Sequence, residues 1–158
     1  MTDGLLTTPM AAFLEPDCLT LILSAEIQIK RTLNQRMLAI HGVTLSQGRA
    51  LFHLARCRTM SCQSLAALLG CSISRISRLT HYLESRSLIV RDRNGEDRRE
   101  LRLSLTKLGH AIAQQVPATL REGEDAILAQ LPGEERKDLK QLLHRMLKQF
   151  DRDSQPHI

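Results

Sequence analysis

Ten residues of this 158-residue chain gather hydrogen-bonding groups into two short runs: Ser72, Ser74, Arg75, Ser77, Arg78 and His81, then Arg93, Asp97, Arg98 and Arg99. Arginine presents a planar fork that pairs bidentately with guanine edges or with phosphate, and serine bonds to either. On one face of one helix these groups suit the major groove of double-stranded DNA. Any single Arg fits a solvated helix face just as well, so the elements that carry the groups must decide.

No catalytic or metal arrangement competes with that reading. The sequence holds no Gly-rich phosphate loop, no Gly-x-Ser-x-Gly and no His-Glu-x-x-His. His53 and Cys57 stand one helical turn apart, with Cys62 and Cys71 beyond, but a Cys-x-x-Cys spacing is missing. Cys57, Cys62 and Cys71 fall beside Leu and Ala and are expected as small buried hydrophobes. The six His are scattered, so neither a metal nor a cofactor is expected, and the chain does not read as an enzyme. A metal-responsive regulator would need a cluster of His and carboxylates.

The polar runs need two scaffolds, and both are legible. Ser61 can cap a helix, with Met60 and Leu65 placed as a hydrophobic staple. Gly70 supplies a left-handed stop and Ser72 caps the next helix at once, which makes a helix-turn-helix. On that second helix Ile76, Leu79 and Leu83 recur on one buried face, leaving the serines, arginines and His81 largely on the others. Leu88-Ile89-Val90 and the alternating Leu101, Leu103 and Leu105 then flank Asn94-Gly95 as a β-hairpin. A strict two-residue turn would set Arg91 against Arg98 and Asp92 against Asp97, and opposed like charges destabilise a sheet. The hairpin therefore needs a wider loop, with Asp97 free to orient a neighbouring Arg. Such a tip is a wing able to enter the minor groove or straddle phosphates, or else a charged edge that resists aggregation.

The flanking segments read as long helices. Asp17 caps one that runs to His41, ended by Gly42, with Leu19, Ile22, Leu23, Ile27, Leu33, Met37 and Ile40 spread over more than one side. Thr44-x-x-Gln47 has the form of a capping box for a helix to about Arg58, with Leu51, Leu54 and Ala55 on its buried side. Thr106 opens a further helix with Leu108, Ile112, Val116, Leu120, Ile127 and Leu131 on one stripe, kinked at Pro117. After Leu131-Pro132-Gly133, a last helix carries Leu139, Leu142, Leu143, Met146, Leu147 and Phe150. The first sixteen residues, with Gly4, Pro9 and Pro16, read as a loose arm, and the end from Asp151 as frayed. The long helices carry more apolar surface than a small winged helix can cover, which implies a two-fold homodimer.

The totals agree with this mostly helical reading. Four aromatics and no Trp accompany many Leu, Ile and Ala, and 158 residues is a single-domain length. The net charge is +5, and seventeen of the twenty-two basic residues are Arg, which favours forked contacts over a diffuse Lys cloud. No basic amphipathic anchor or long apolar run points to a membrane. Met1 to Phe13 lacks the form of a signal peptide, so a cytoplasmic location with reduced thiols is expected.

The pattern Asp97-x-Arg99, five residues, Leu105-Thr106 and Gly109, preceded by Leu65-Ala66-x-x-Leu69-Gly70 and Leu83-Glu84-x-x-x-Leu88-Ile89, resembles the MarR (multiple antibiotic resistance regulator) family from about Leu19 to Phe150. The resemblance implies a mainly α fold with a β-hairpin wing. Residues 44–105 would form the winged helix-turn-helix, and 17–41 with 106–150 the dimerisation helices. It also implies a dimeric repressor on a palindromic operator, with Asp97 orienting Arg99 on the wing. The small aromatic or anionic ligands of that family bind in the crevice between the dimer helices and the winged domain. Here the corresponding region offers Arg31, Arg36, His41, Arg49 and His53. Some family members sense peroxide through a Cys near the position of Cys18, which sits at a helix start where the dipole lowers a thiol pKa. Those sensors use tyrosines in neighbouring helices, and the one Tyr here is Tyr82. The alternatives to a ligand-released repressor are thus an oxidant sensor acting through Cys18 and a winged-helix interaction module that does not read DNA.

Overall fold

The computed structural model describes residues 16–92 and 101–153. Arg93, Asp97, Arg98 and Arg99, the Asn94-Gly95 pair and the first fifteen residues lie outside that range. Helices α1 (Cys18–His41) and α2 (Leu45–Cys57) come first, then strand β1 (Thr59–Ser61) and helices α3 (Cys62–Leu69) and α4 (Ile73–Ser85). Strands β2 (Ile89–Asp92) and β3 (Arg102–Leu105) follow, and helices α5 (Lys107–Ile127) and α6 (Gly133–Asp153) close the chain. The molecule is mostly helical with one small antiparallel sheet, as the sequence implies.

Local chemistry sets the helix boundaries. Asp17 accepts from Thr20 N at 2.7 Å. Thr44 and Gln47 complete a reciprocal capping box at 3.3 and 2.8 Å, and Ser61, Ser72 and Thr106 each accept from the third backbone N–H of their helices. A cap of this kind contributes about 1 kcal/mol, because it satisfies a donor the helix cannot. Gly42 and Gly70 stop α1 and α3 in the left-handed region at φ 65° and 62°.

The sheet has the order β1-β3-β2. The hairpin register pairs Ile89 with Leu105, Arg91 with Leu103 and Asp92 with Arg102. This register excludes a two-residue turn at Asn94-Gly95, and opposite charges face each other where that turn would have opposed like ones. Strand β1 was not expected from the sequence. Met60 is buried, pairs with Leu103 in the sheet and stands just before the Ser61 cap.

The core gathers around α2, which packs on α1, α3, α5 and the sheet, with α4 packed on α3 and β2. Leu51, Leu54, Leu65, Ile76, Leu83, Leu88, Ile89, Leu103 and Val116 are buried there. The inward face of α5 corrects the expected stripe: Gly109, Ala113, Val116, Thr119 and Gly123 are buried, Ile112, Leu120, Ile127 and Leu131 only partly, and Leu108 points outward. The reason is close approach. A Cβ on Gly109 would lie 2.0 Å from the carbonyl oxygen of Leu88, and one on Gly123 would lie 2.4 Å from Leu33 Cδ2. Helix α5 continues through Pro117 without a break.

Two helices keep apolar faces uncovered. On α1 only Met37 is buried while Leu19, Leu23 and Ile27 are exposed, and no side chain described on α6 is fully buried.

Gly109→Ala should destabilise the protein by about 1–3 kcal/mol, since backbone cannot yield as a side-chain end can. Gly133→Ala, with nothing within 4 Å of its added methyl, should leave the melting temperature unchanged or raise it. Equal thermal melts for wild type and Gly109→Ala would contradict this packing.

Candidate nucleic-acid interface

Helix α4 is held from one side only. Ile76, Thr80 and Leu83 are buried and Leu79 is partly so, while Ser72, Ser74, Arg75, Ser77, Arg78 and His81 are all exposed. Ser72 Oγ accepts from Arg75 N at 3.4 Å and lies 3.1 Å from Ser74 Oγ. Among the described residues, no ion pair or hydrogen bond engages the side chains of Arg75, Arg78 or His81. Six polar residues on a half-anchored helix, with their cations uncommitted, form a face able to receive phosphates and base edges.

The anchoring itself uses a polar clamp that the sequence did not disclose. Thr80 is fully buried and donates to Ile76 O at 2.9 Å. From β2, Arg91 donates to Thr80 Oγ1 at 3.1 Å and reaches Ser77 O at 3.5 Å. Its Nε stands 3.0 Å from Glu84 Oε2, an ion-pair distance at an angle that makes no hydrogen bond. One guanidinium therefore ties the base of the wing to two successive turns of α4. At the far end Tyr82 accepts from Arg86 at 2.9 Å, with the guanidinium 5.8 Å from the ring centre.

The five residues named as possible ligand contacts do not converge. Arg36 pairs with Glu122, His41 Nε2 lies 2.8 Å from Thr119 Oγ1, and Arg31 and Arg49 point outward. The first two tie α1 to α5, a role already filled. His53 is partly buried beside Phe52 in an edge-to-face contact of 5.7 Å. Burial, with help from Arg49 and then Arg56, holds its pKa below the ordinary 6.5. Next to it, Phe52, Val116, Pro117, Leu120, Arg121 and Glu124 line a groove of about 270 Å³ between α2 and α5. None of those six was named as a ligand contact from the sequence, although Phe52 adjoins His53.

The cysteines also depart from expectation. Cys57 is exposed and Cys62 and Cys71 are only partly buried; with the exposed Cys18, all four are free thiols. Cys57 ends α2, one residue before Arg58 turns through φ 58°, so it lies beyond the last buried residue, Leu54. Among the described residues, no group of three or more potential ligands is close enough to hold a metal ion. No helix of the described residues is long and apolar enough to cross a membrane.

A urea-unfolding cycle over wild type, Arg91→Met, Thr80→Val and the double variant should show coupling of at least about 0.5 kcal/mol, as for residues in one network. Additive losses would separate the two groups. His53 favours its neutral form in the fold, so its contribution is present above pH 6.5 and is lost as pH falls below that value. His53→Gln should flatten the decline in melting temperature between about pH 7 and 5, and an unchanged slope would assign that decline to other groups.

Residues 43–101 match the family model of the MarR family, a span from the end of the first turn to the wing. The transcriptional repressor MprA of Escherichia coli K12 is 29% identical over 125 residues, which cover 78% of this chain and 71% of that one. The crystal structure of the reduced form of MarR from Escherichia coli superposes with a TM-score of 0.75 at 22% identity, covering 84% of this chain and 98% of the other. MepR of Staphylococcus aureus, solved as a complex with DNA, gives 0.74 at 25% identity over 85% of this chain and 99% of its own. With the family model on its helix-turn-helix and the same order of helices and strands around it, the chain has the winged-helix fold of MarR and is similar to the MarR family of transcriptional regulators.

Proposed function

We propose that the protein is a homodimeric repressor that reads a palindromic double-stranded DNA operator and is released from it by a small aromatic or anionic ligand. The observation that carries the reading is the outward face of α4, where Arg75, Arg78 and His81 are exposed and uncommitted among the described residues. In this reading Ser72, Ser74, Arg75, Ser77, Arg78 and His81 meet bases and flanking phosphates. Arg93, Arg98 and Arg99, with Asp97 orienting Arg99, grip alongside from the wing. The repressor name of MprA and the DNA complex of MepR support this assignment.

Dimerisation is argued from the apolar faces. Residues 17–41 and 106–150 would supply the two-fold interface and 44–105 the DNA-binding unit. Leu19, Leu23 and Ile27 on α1 and Leu142, Leu147 and Phe150 on α6 stand exposed, and burying them against a second copy removes that surface from water. Two copies of α4 would then meet half-sites about one DNA turn apart.

For the ligand, the groove between α2 and α5 has an apolar floor with Arg121 on its rim and Arg49, His53 and Arg56 nearby on α2. An aromatic carboxylate fits that chemistry. Engaging Arg36 or His41 from the α1 side would first break their bonds to α5. The ligand can shift DNA affinity only by as much as it prefers one spacing of the two α4 helices over another.

Three measurements test the proposal. Sedimentation should give a dimer at micromolar concentration, and Ile27→Glu should give a monomer with little specific DNA binding. A monomeric wild type sinks the dimer. Duplexes selected from a random pool should converge on an inverted repeat, and Arg75→Ala or Arg78→Ala should lose about 1–3 kcal/mol of specific binding. Arg99→Ala should lower the salt slope by about one unit if it holds a phosphate. Selection that returns no consensus would leave the interaction-module alternative standing.

A further inference from the structure

The tip of α4 carries one side chain that its polar neighbours do not explain. Ile73 is the first helical residue and is 58% exposed. It takes no part in the core, whose α4 contribution is completed by Ile76, Leu83 and the partly buried Leu79. The hydroxyls on either side are turned to local partners: Ser72 Oγ caps Arg75 N, and Ser74 Oγ lies 3.1 Å from Ser72 Oγ. At the advancing end of the helix, beside the exposed Arg75, an aliphatic group is therefore left to project. The first turn of such a helix is where side chains meet base edges in the major groove. There the one apolar feature a base pair offers is the C5-methyl group of thymine.

Resting on the DNA-reading proposal above, we infer that Ile73 is a specificity-determining residue that packs on a thymine methyl, so each half-site carries a thymine whose methyl group is read. Isolated apolar residues are common on protein surfaces. Its setting distinguishes it, since its exposed neighbours in sequence, Ser72, Ser74, Arg75, Ser77 and Arg78, carry hydrogen-bonding groups, which leaves Ile73 as the apolar side chain of that run.

The test removes the apolar group from each partner in turn. Duplexes carrying the selected operator are synthesised with each thymine in turn replaced by deoxyuridine, which deletes only the methyl. Fluorescence anisotropy then gives affinities for wild type and Ile73→Ala. At one thymine per half-site the replacement should weaken wild-type binding about fourfold, the scale of burying one methyl group. The same replacement should leave Ile73→Ala unaffected, while substitutions elsewhere affect both proteins equally. Ile73→Ala should melt with wild type because the side chain is outside the core. Uracil effects of equal size in the two proteins, or none at any position, would overturn the inference while leaving the DNA-reading proposal intact. Failure of wild type to prefer any selected duplex over random DNA would overturn both.

Discussion

A helix can offer one side to a partner only if the other is held firmly, and in this protein that hold is the seat of α4. Ile76 and Leu83 fill the core, and Thr80 is satisfied inside it by Ile76 O and by Arg91. A buried hydroxyl without such partners would destabilise the seat, as unmade buried hydrogen bonds do. Satisfied, it gives α4 a directional fixture that apolar contact alone lacks. The exposed face of Ser and Arg is free to meet a partner because the opposite face needs nothing further.

The rest of the architecture serves that fixture at longer range. Strand β3 lies between β1 and β2, so the segment before the helix-turn-helix and the base of the wing share one central strand. Helix α5 then passes close enough to Leu88 that only glycine fits at position 109. Helices α1 and α6, by contrast, carry apolar surface that stands exposed among the described residues. One region is stabilised inwardly and the other awaits a second copy in the dimeric reading. That division follows from where leucines and isoleucines outnumber the neighbours available to bury them.

Much of this was legible in the sequence, and the failures have physical causes. Asp17, Thr44, Ser61, Ser72 and Thr106 act through bonds to residues three positions away, so local reading finds them. That Asp92 would not stand opposite Asp97 followed from charge repulsion, and its pairing with Arg102 agrees. Strand β1 escaped because three residues carry little periodicity and its partner lies some forty positions on. The inward face of α5 was misread because glycine has no hydropathic signature, and close approach outranked the leucine stripe. Arg91 entered the sequence reading only as a charge to be kept from Arg98, since its reach to Thr80 and Glu84 exists only in the folded chain. Residues Arg93 to Arg99 of the wing remain a proposal argued from sequence alone.

Thr106 joins two tasks in one hydroxyl. It accepts from Gly109 N at the start of α5 and donates to Ser87 O at 2.7 Å, while its own N–H bonds Leu88 O at 3.1 Å. The head of α5 and the root of the hairpin are thereby riveted with no slack between them. Any tilt of α5 arrives at β2, and through Arg91 at α4, as displacement instead of being absorbed by a yielding hinge. In the dimeric reading, a small motion of α5 would therefore reorient α4, because tightly packed parts turn together or not at all.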